Sequence, residues 1–276
     1  MFPQPTVLLA TDLSARCDRA LDRALIVAEQ LAARLLIVNV IEKGELARDI
    51  GYDEWLKSAI IRDLPVTQVA IEVVIRRGSV PQSIAKIAQE ENCALIVTGV
   101  ARYNSLRDFL LGTLVDTLVR SSDIPVLIVK QRPQGRYKRI LAATDFSSCS
   151  RRAIEVSAKF FPEIPVRLAH AYHTPYSGWL SSESVAKDTR EEAEEELTAF
   201  LTQPDFSDSL RGRLSPEIVY GDINAAIHHQ IETFDPDLVA LGTHGKSGFV
   251  QATIGSVATD LMSWIPADTL VVRETR

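Results

Sequence analysis

Residues 238–265 hold the pattern with the most definite chemistry. The strand-type run Leu238-Val239-Ala240-Leu241 leads into Gly242, Gly245 follows after two residues, and Gly255-Ser256 comes after nine more. Ile254, Val257, Ala258, Leu261, Met262 and Ile265 then recur at helical spacing. A strand, a glycine loop and a helix start in that order make a phosphate cradle. Glycines admit close backbone approach and positive φ, and the first amides of the helix are unpaired at the positive end of its dipole. Glycines also serve simply to turn a chain between a strand and a helix. A second pattern overlaps the first: Ala240-x4-Gly245-Lys246-Ser247 fits a relaxed phosphate loop, with Lys246 reaching the β and γ phosphates and Ser247 holding magnesium. The strict form has glycine at the first position, just beyond the strand, whereas Ala240 lies inside the apolar run.

Other chemically able residues form no comparable constellation. The five histidines show no metal-ligand spacing, and neighbours such as His228-His229 on a helix point to different faces. His244, inside the glycine loop, is either a phosphate contact or a partly exposed loop residue. Three cysteines, an odd number, fit a reducing compartment rather than a disulfide framework. Cys93 reads as core, while Cys17 and Cys149 fall near two helix starts, where the dipole could lower a thiol pKa, but without a resolving partner nearby in sequence an inert structural role is favoured over redox sensing. The acidic run Arg190–Leu201 reads as a solvated helix face, because Ala193, Leu197, Phe200 and Leu201 give it a buried stripe. No catalytic residue and no metal ligand is assigned.

The elements that position the loop are written twice. VLLATDLS (7–14) returns as ILAATDFS (140–147), and CALIVTG returns as DLVALGT. The offset is 133 residues from Asp12 to Asp145 but 143 from Gly99 to Gly242 and from Gly112 to Gly255, so the second copy carries about ten extra residues between its second and third strands. Each copy alternates apolar strands with helical patterns, and Ser14 stands where it can cap the first helix. Such alternation predicts an α/β fold: two tandem doubly wound domains, each a parallel sheet with helices on both faces. The domains are expected at 1–131 and 137–276, around the polar linker at Pro133 and Gly135.

Composition narrows the function classes. With 276 residues, 46% hydrophobic and 24% charged, the chain suits about two globular domains. A net charge of −6 and the lack of any basic block argue against nucleic acid or an anionic membrane as partner. No apolar run approaches the roughly 18 residues that span a bilayer, and the first residues lack a signal-peptide pattern, so a cytoplasmic protein is expected.

The pattern Gly242-x2-Gly245-x9-Gly255-Ser256 resembles the nucleotide-binding signature of the universal stress protein family, and both halves look like domains of that family. The resemblance implies five strands per domain in the order 3-2-1-4-5, with ATP, alone or with magnesium and not covalently bound, at the carboxyl ends of the first and fourth strands. It assigns the adenine to Asp145, with Asp12 as counterpart. A carboxylate can accept from the exocyclic amine, and Ala143 and Ala171 leave room for a flat ring. The binding set implied in the second domain is Ala143, Thr144, Asp145, Ala171, Leu241, Gly242, Gly245, Gly255, Ser256 and Val257. A weaker first-domain set comprises Thr11, Asp12, Val40, Gly99, Gly112 and Thr113. There Arg102 replaces the second glycine. Its side chain either blocks phosphate approach or binds a phosphate itself.

The resulting expectation is an ATP-binding stress-response or signalling protein whose adenine nucleotide alters contact with a protein partner. The alternatives are a nucleotide-free or other-ligand scaffold, and a slow ATP hydrolase or kinase using Lys246, Ser247 and His244. Leu127-Ile128-Val129 and Leu270-Val271-Val272 end their halves as strands with pairing groups to cover. An internal pseudo-dimer of the two halves is therefore expected, with association of whole chains into a homodimer left open.

Overall fold

The computed structural model describes residues 4–42, 51–100, 102–105, 108–110, 112–172, 183–245 and 254–274. The chain divides into two compact units, Met1–Arg136 and Tyr137–Arg276.

The first unit runs β1 (Thr6–Ala10), a 3-10 turn (Ala15–Cys17), α1 (Asp18–Gln30), β2 (Arg34–Ile41), α2 (Tyr52–Asp63), β3 (Ile71–Arg77), α3 (Val80–Glu90) and β4 (Leu95–Gly99). A hairpin of β5 (Arg102–Ser105) and β6 (Asp108–Leu110) follows, then α4 (Gly112–Ser121) and β7 (Val126–Val129). The main strands pair in parallel in the order β3-β2-β1-β4-β7. All five residues of β1 are buried, as a central parallel strand covered on both faces requires.

The second unit runs β8 (Ile140–Ala143), α5 (Ser148–Phe160), β9 (Val166–Tyr172), α6 (Glu183–Leu201), α7 (Asp208–Arg211) and β10 (Leu214–Tyr220). It continues with α8 (Ile223–Phe234), β11 (Leu238–Gly242), α9 (Ser256–Trp264) and β12 (Asp268–Val272). Its parallel order is β10-β9-β8-β11-β12, so both units show the doubly wound order 3-2-1-4-5. Pro216 sits in β10, an edge strand that tolerates a missing donor. Among the described residues no helix is long and apolar enough to cross a membrane.

Several local expectations need correction. The antiparallel β5–β6 hairpin adds a second sheet that the sequence did not announce. Ser14 has an extended backbone at the helix start but makes no capping bond with its side chain, whereas its counterpart Ser147 accepts from the Ser150 amide. The helical spacing of Leu21, Ala24, Leu25, Ala28 and Leu31 predicts the buried face of α1, but the buried residues are Ala20, Arg23, Ala24, Leu25, Val27 and Ala28, and Leu21 and Leu31 stay partly exposed.

Candidate functional site

Each first strand ends in the same tight turn. The Thr144 hydroxyl accepts from the Phe146 amide at 3.0 Å and Asp145 Oδ1 accepts from the Ser147 amide at 3.1 Å; Thr11 and Asp12 do the same for Leu13 and Ser14 at 3.0 and 2.9 Å. These bonds hold Phe146 and Leu13 at φ +61° and +59°, a left-handed conformation costly for such side chains. The neighbouring strand braces each turn. Asn39 Nδ2 donates to the Thr11 carbonyl at 3.0 Å, and His170 Nδ1 lies 2.9 Å from the Thr144 carbonyl. Asp145 and Asp12 are thus structural turn residues through Oδ1, with Oδ2 directed elsewhere. Burial alone would raise the Asp12 carboxyl, but hydrogen bonds from Ser14 and Cys17 and the charge of Arg16 hold it below its ordinary value.

In the second unit a crevice of about 320 Å³ opens over these strand ends. All ten residues expected there line it: Ala143, Thr144, Asp145 and Ala171 from the β8 and β9 side, and Leu241, Gly242, Gly245, Gly255, Ser256 and Val257 from the β11 loop and α9. Ser150, His170, Ile223, Thr243 and His244 line it as well. The sequence reading missed His170 because outside the glycine loop it weighed the histidines only for metal-ligand spacing. The alignment of Asn39 with His170 at the second strand could have found it. Gly255 is the N-cap of α9 and no side chain caps that helix, which leaves its first amides facing the crevice end of the dipole. His244 Nδ1 lies 2.8 Å from Thr243 Oγ1, while its Nε2 is buried without a hydrogen-bond partner.

Two of the three glycines, Gly242 and Gly245, serve the protein's own packing, and none of the three has positive φ. A Cβ on Gly242 would stand 2.8 Å from the Cys149 carbonyl carbon and from the Ser150 nitrogen, so β11 approaches the start of α5 only without a side chain. A Cβ on Gly245 would stand 2.5 Å from Asp145 Oδ2, and one on Gly255 would stand 3.4 Å from the Thr243 carbonyl oxygen. A phosphate held at Gly245 itself would press against the Asp145 carboxylate, and like charges at that range repel. The α9 start, with Gly255, Ser256 and Val257, is the better anion position. Lys246 and Ser247 lie outside the described residues.

The first unit has a crevice of about 400 Å³, and all six expected residues, Thr11, Asp12, Val40, Gly99, Gly112 and Thr113, line it. Its charge differs. Asp12 and Glu42 both face it, with Cys17, whereas the second crevice has one carboxylate and two histidines. Cys17 Sγ donates to Asp12 Oδ1 at 3.1 Å, and burial pushes its thiol up, as suits an inert rather than a reactive cysteine. Only the backbone of Arg102 is described, in β5, so its side-chain role lies outside what is seen. Among the described residues no group of three or more His, Cys, Asp or Glu could hold a metal ion.

Comparison with known proteins agrees with the architecture. Residues 5–130 and 136–273 each match the model of the Universal stress protein family. A Staphylococcus aureus (strain USA300) protein named as a universal stress protein is 30% identical over 151 residues, covering 47% of this chain and 86% of that protein. A solved universal stress protein from Archaeoglobus fulgidus DSM 4304 is similar with a TM-score of 0.70 at 19% identity, over 99% of this chain and 100% of the other. A functionally unknown protein from Pseudomonas aeruginosa PAO1 gives 0.72 at 20% identity, over 98% and 93%. At such identities the structural likeness speaks for the fold, and with the paired family matches it makes this chain a tandem, two-domain member of the universal stress protein family.

Proposed function

We propose that the second unit binds an adenine nucleotide, ATP in the first instance, and that the bound state alters contact with a protein partner in a stress response. One observation carries this reading: Asp145, His244 and the uncapped start of α9 line a single crevice. Helix amides and a histidine suit phosphate oxygens, and a carboxylate beside small residues suits an amino-bearing ring. Phosphates then lie at Gly255, Ser256 and Val257, with the ring near Asp145, Ala143 and Ala171.

The first unit binds the nucleotide weakly or not at all, because Asp12 and Glu42 together oppose an anion. Titration calorimetry of the full chain with ATP tests both statements: one site per chain is expected, with most of the heat lost in Asp145→Asn. Two equivalent sites, or no binding, would overturn the assignment. The wider proposal, argued from sequence, has the strands at Leu127–Val129 and Leu270–Val272 pairing within the chain, and a protein without turnover working in the cytoplasm. Sustained ATP hydrolysis that is lost in Lys246→Ala would replace it with the enzymatic reading.

A further inference from the structure

The first unit contains a hollow whose equivalent in the second unit is filled by the second unit's own side chains. Between α1 and α2 a cavity of about 580 Å³ is walled by Leu9, Leu13, Leu21, Leu56, Ile60 and Leu64. Leu13 and Phe146 occupy the same turn, yet Leu13 is 42% exposed. Phe146 instead stacks on His170 with ring centroids 4.0 Å apart and meets Phe200 of α6 at 5.3 Å. Phe200 in turn meets Phe206 at 5.2 Å, and both rings are buried. The counterpart of Leu21, one offset of 133 along, is Ile154, fully buried where Leu21 is not. The cause is the longer crossover. α6 has 19 residues against 12 for α2, and only the longer segment brings aromatic rings down onto the turn.

We propose that this hollow is a binding site for an uncharged aromatic or aliphatic small molecule, of about the bulk of the two phenyl rings that the second unit supplies from its own chain. Its volume lies within the range of about 300–1,000 Å³ usual for small-molecule pockets. Its walls are mostly apolar, with Thr11, Ser14 and Cys17 among them, and the charged residues that line it, Asp18, Asp63 and Arg62, are of both signs, so neither a cation nor an anion is strongly selected. Apolar walls left without contacts lose dispersion energy that an apolar occupant restores. The site is separate from the proposed nucleotide crevice of the second unit and does not rest on that reading. It shares Thr11 and Cys17 with the first unit's crevice, whereas Asp12, Gly99 and Gly112 face the crevice alone.

The test is a fluorescence titration of the full chain with N-phenyl-1-naphthylamine, an uncharged probe that brightens in apolar sites. Saturation at one probe per chain, unaffected by ATP, is expected. Ala59 lines the hollow from α2, and Ala59→Phe should weaken the probe by about tenfold or more. Leu13→Phe, which installs the second unit's own residue, should do the same and serves if the first variant folds poorly. Unsaturable binding, parent-like affinity in both filled variants, or displacement by ATP would overturn the proposal. Loss of the site as protein concentration rises, with a matching change in sedimentation, would give the hollow to a second copy of the chain instead.

Discussion

Asp145 and Gly245 are fitted to one another: the carboxylate Oδ2 occupies space that a Cβ at position 245 would need, only 2.5 Å away. Gly245→Ala must therefore push the Asp145 carboxylate aside. The expected outcome is a fold of near-parent stability with ATP affinity reduced by about tenfold or more, read by calorimetry together with thermal melting. Gly242→Ala should behave in the opposite manner. Its Cβ would meet the α5 backbone, which cannot rotate away, so overpacking should cost about 2 kcal/mol of stability by denaturant unfolding.

His244 offers a finer discrimination. With Nδ1 against Thr243 Oγ1 and Nε2 buried without a partner, His244→Ala should weaken ATP by about fivefold to tenfold and leave adenosine nearly unchanged. Equal weakening of both ligands would mean that Nε2 does not face the phosphates.

Cys93 governs an alkaline limb of stability. Burial pushes its thiol up from 9.0 to about 11, so the folded state keeps a proton that the unfolded chain has released. That contribution is fully present below the unfolded value and is lost as pH rises through the folded one. Urea midpoints should fall between about pH 9 and 11 in the parent, with a flatter profile in Cys93→Ala. At pH 7.5 Cys93 should also resist thiol reagents until the protein unfolds.

Tyr137 donates its hydroxyl to Asp268 Oδ2 at 2.7 Å in the interior of the second unit. Tyr137→Phe should cost about 2 kcal/mol, because a buried carboxylate loses a donor while the ring packing against Phe161 is retained. Comparison with Tyr137→Ala, which also loses the ring, separates the two contributions.

Much of the fold was legible because strands buried on both faces read as continuous apolar runs, as in VLLA and LIVTG, and because the duplication repeats every element. The crevice was legible for the same reason, since strand order brings Asp145 beside the β11 loop. The purpose of the glycines was not. Their spacing marked residues that line the crevice, but the atoms that exclude a Cβ at Gly242 and Gly245 belong to residues about a hundred positions away. The β5–β6 hairpin stayed hidden because YNSLRDFL contains no glycine or proline turn signal. The hollow beside Leu13 could not be read from either copy alone, since it is defined by rings that only the other copy possesses.

Each sheet has its third strand at one edge, β3 in the first unit paired only with β2 and β10 in the second paired only with β9 among the described residues. Neither offers a clean template to a newcomer. β10 withholds a donor at Pro216, and β3 bears Glu72, Arg76 and Arg77 along its seven residues. A foreign strand arriving at either margin would find a broken ladder or unmatched charge, so filament growth by edge-to-edge recruitment is blocked at these two strands even when the protein is crowded.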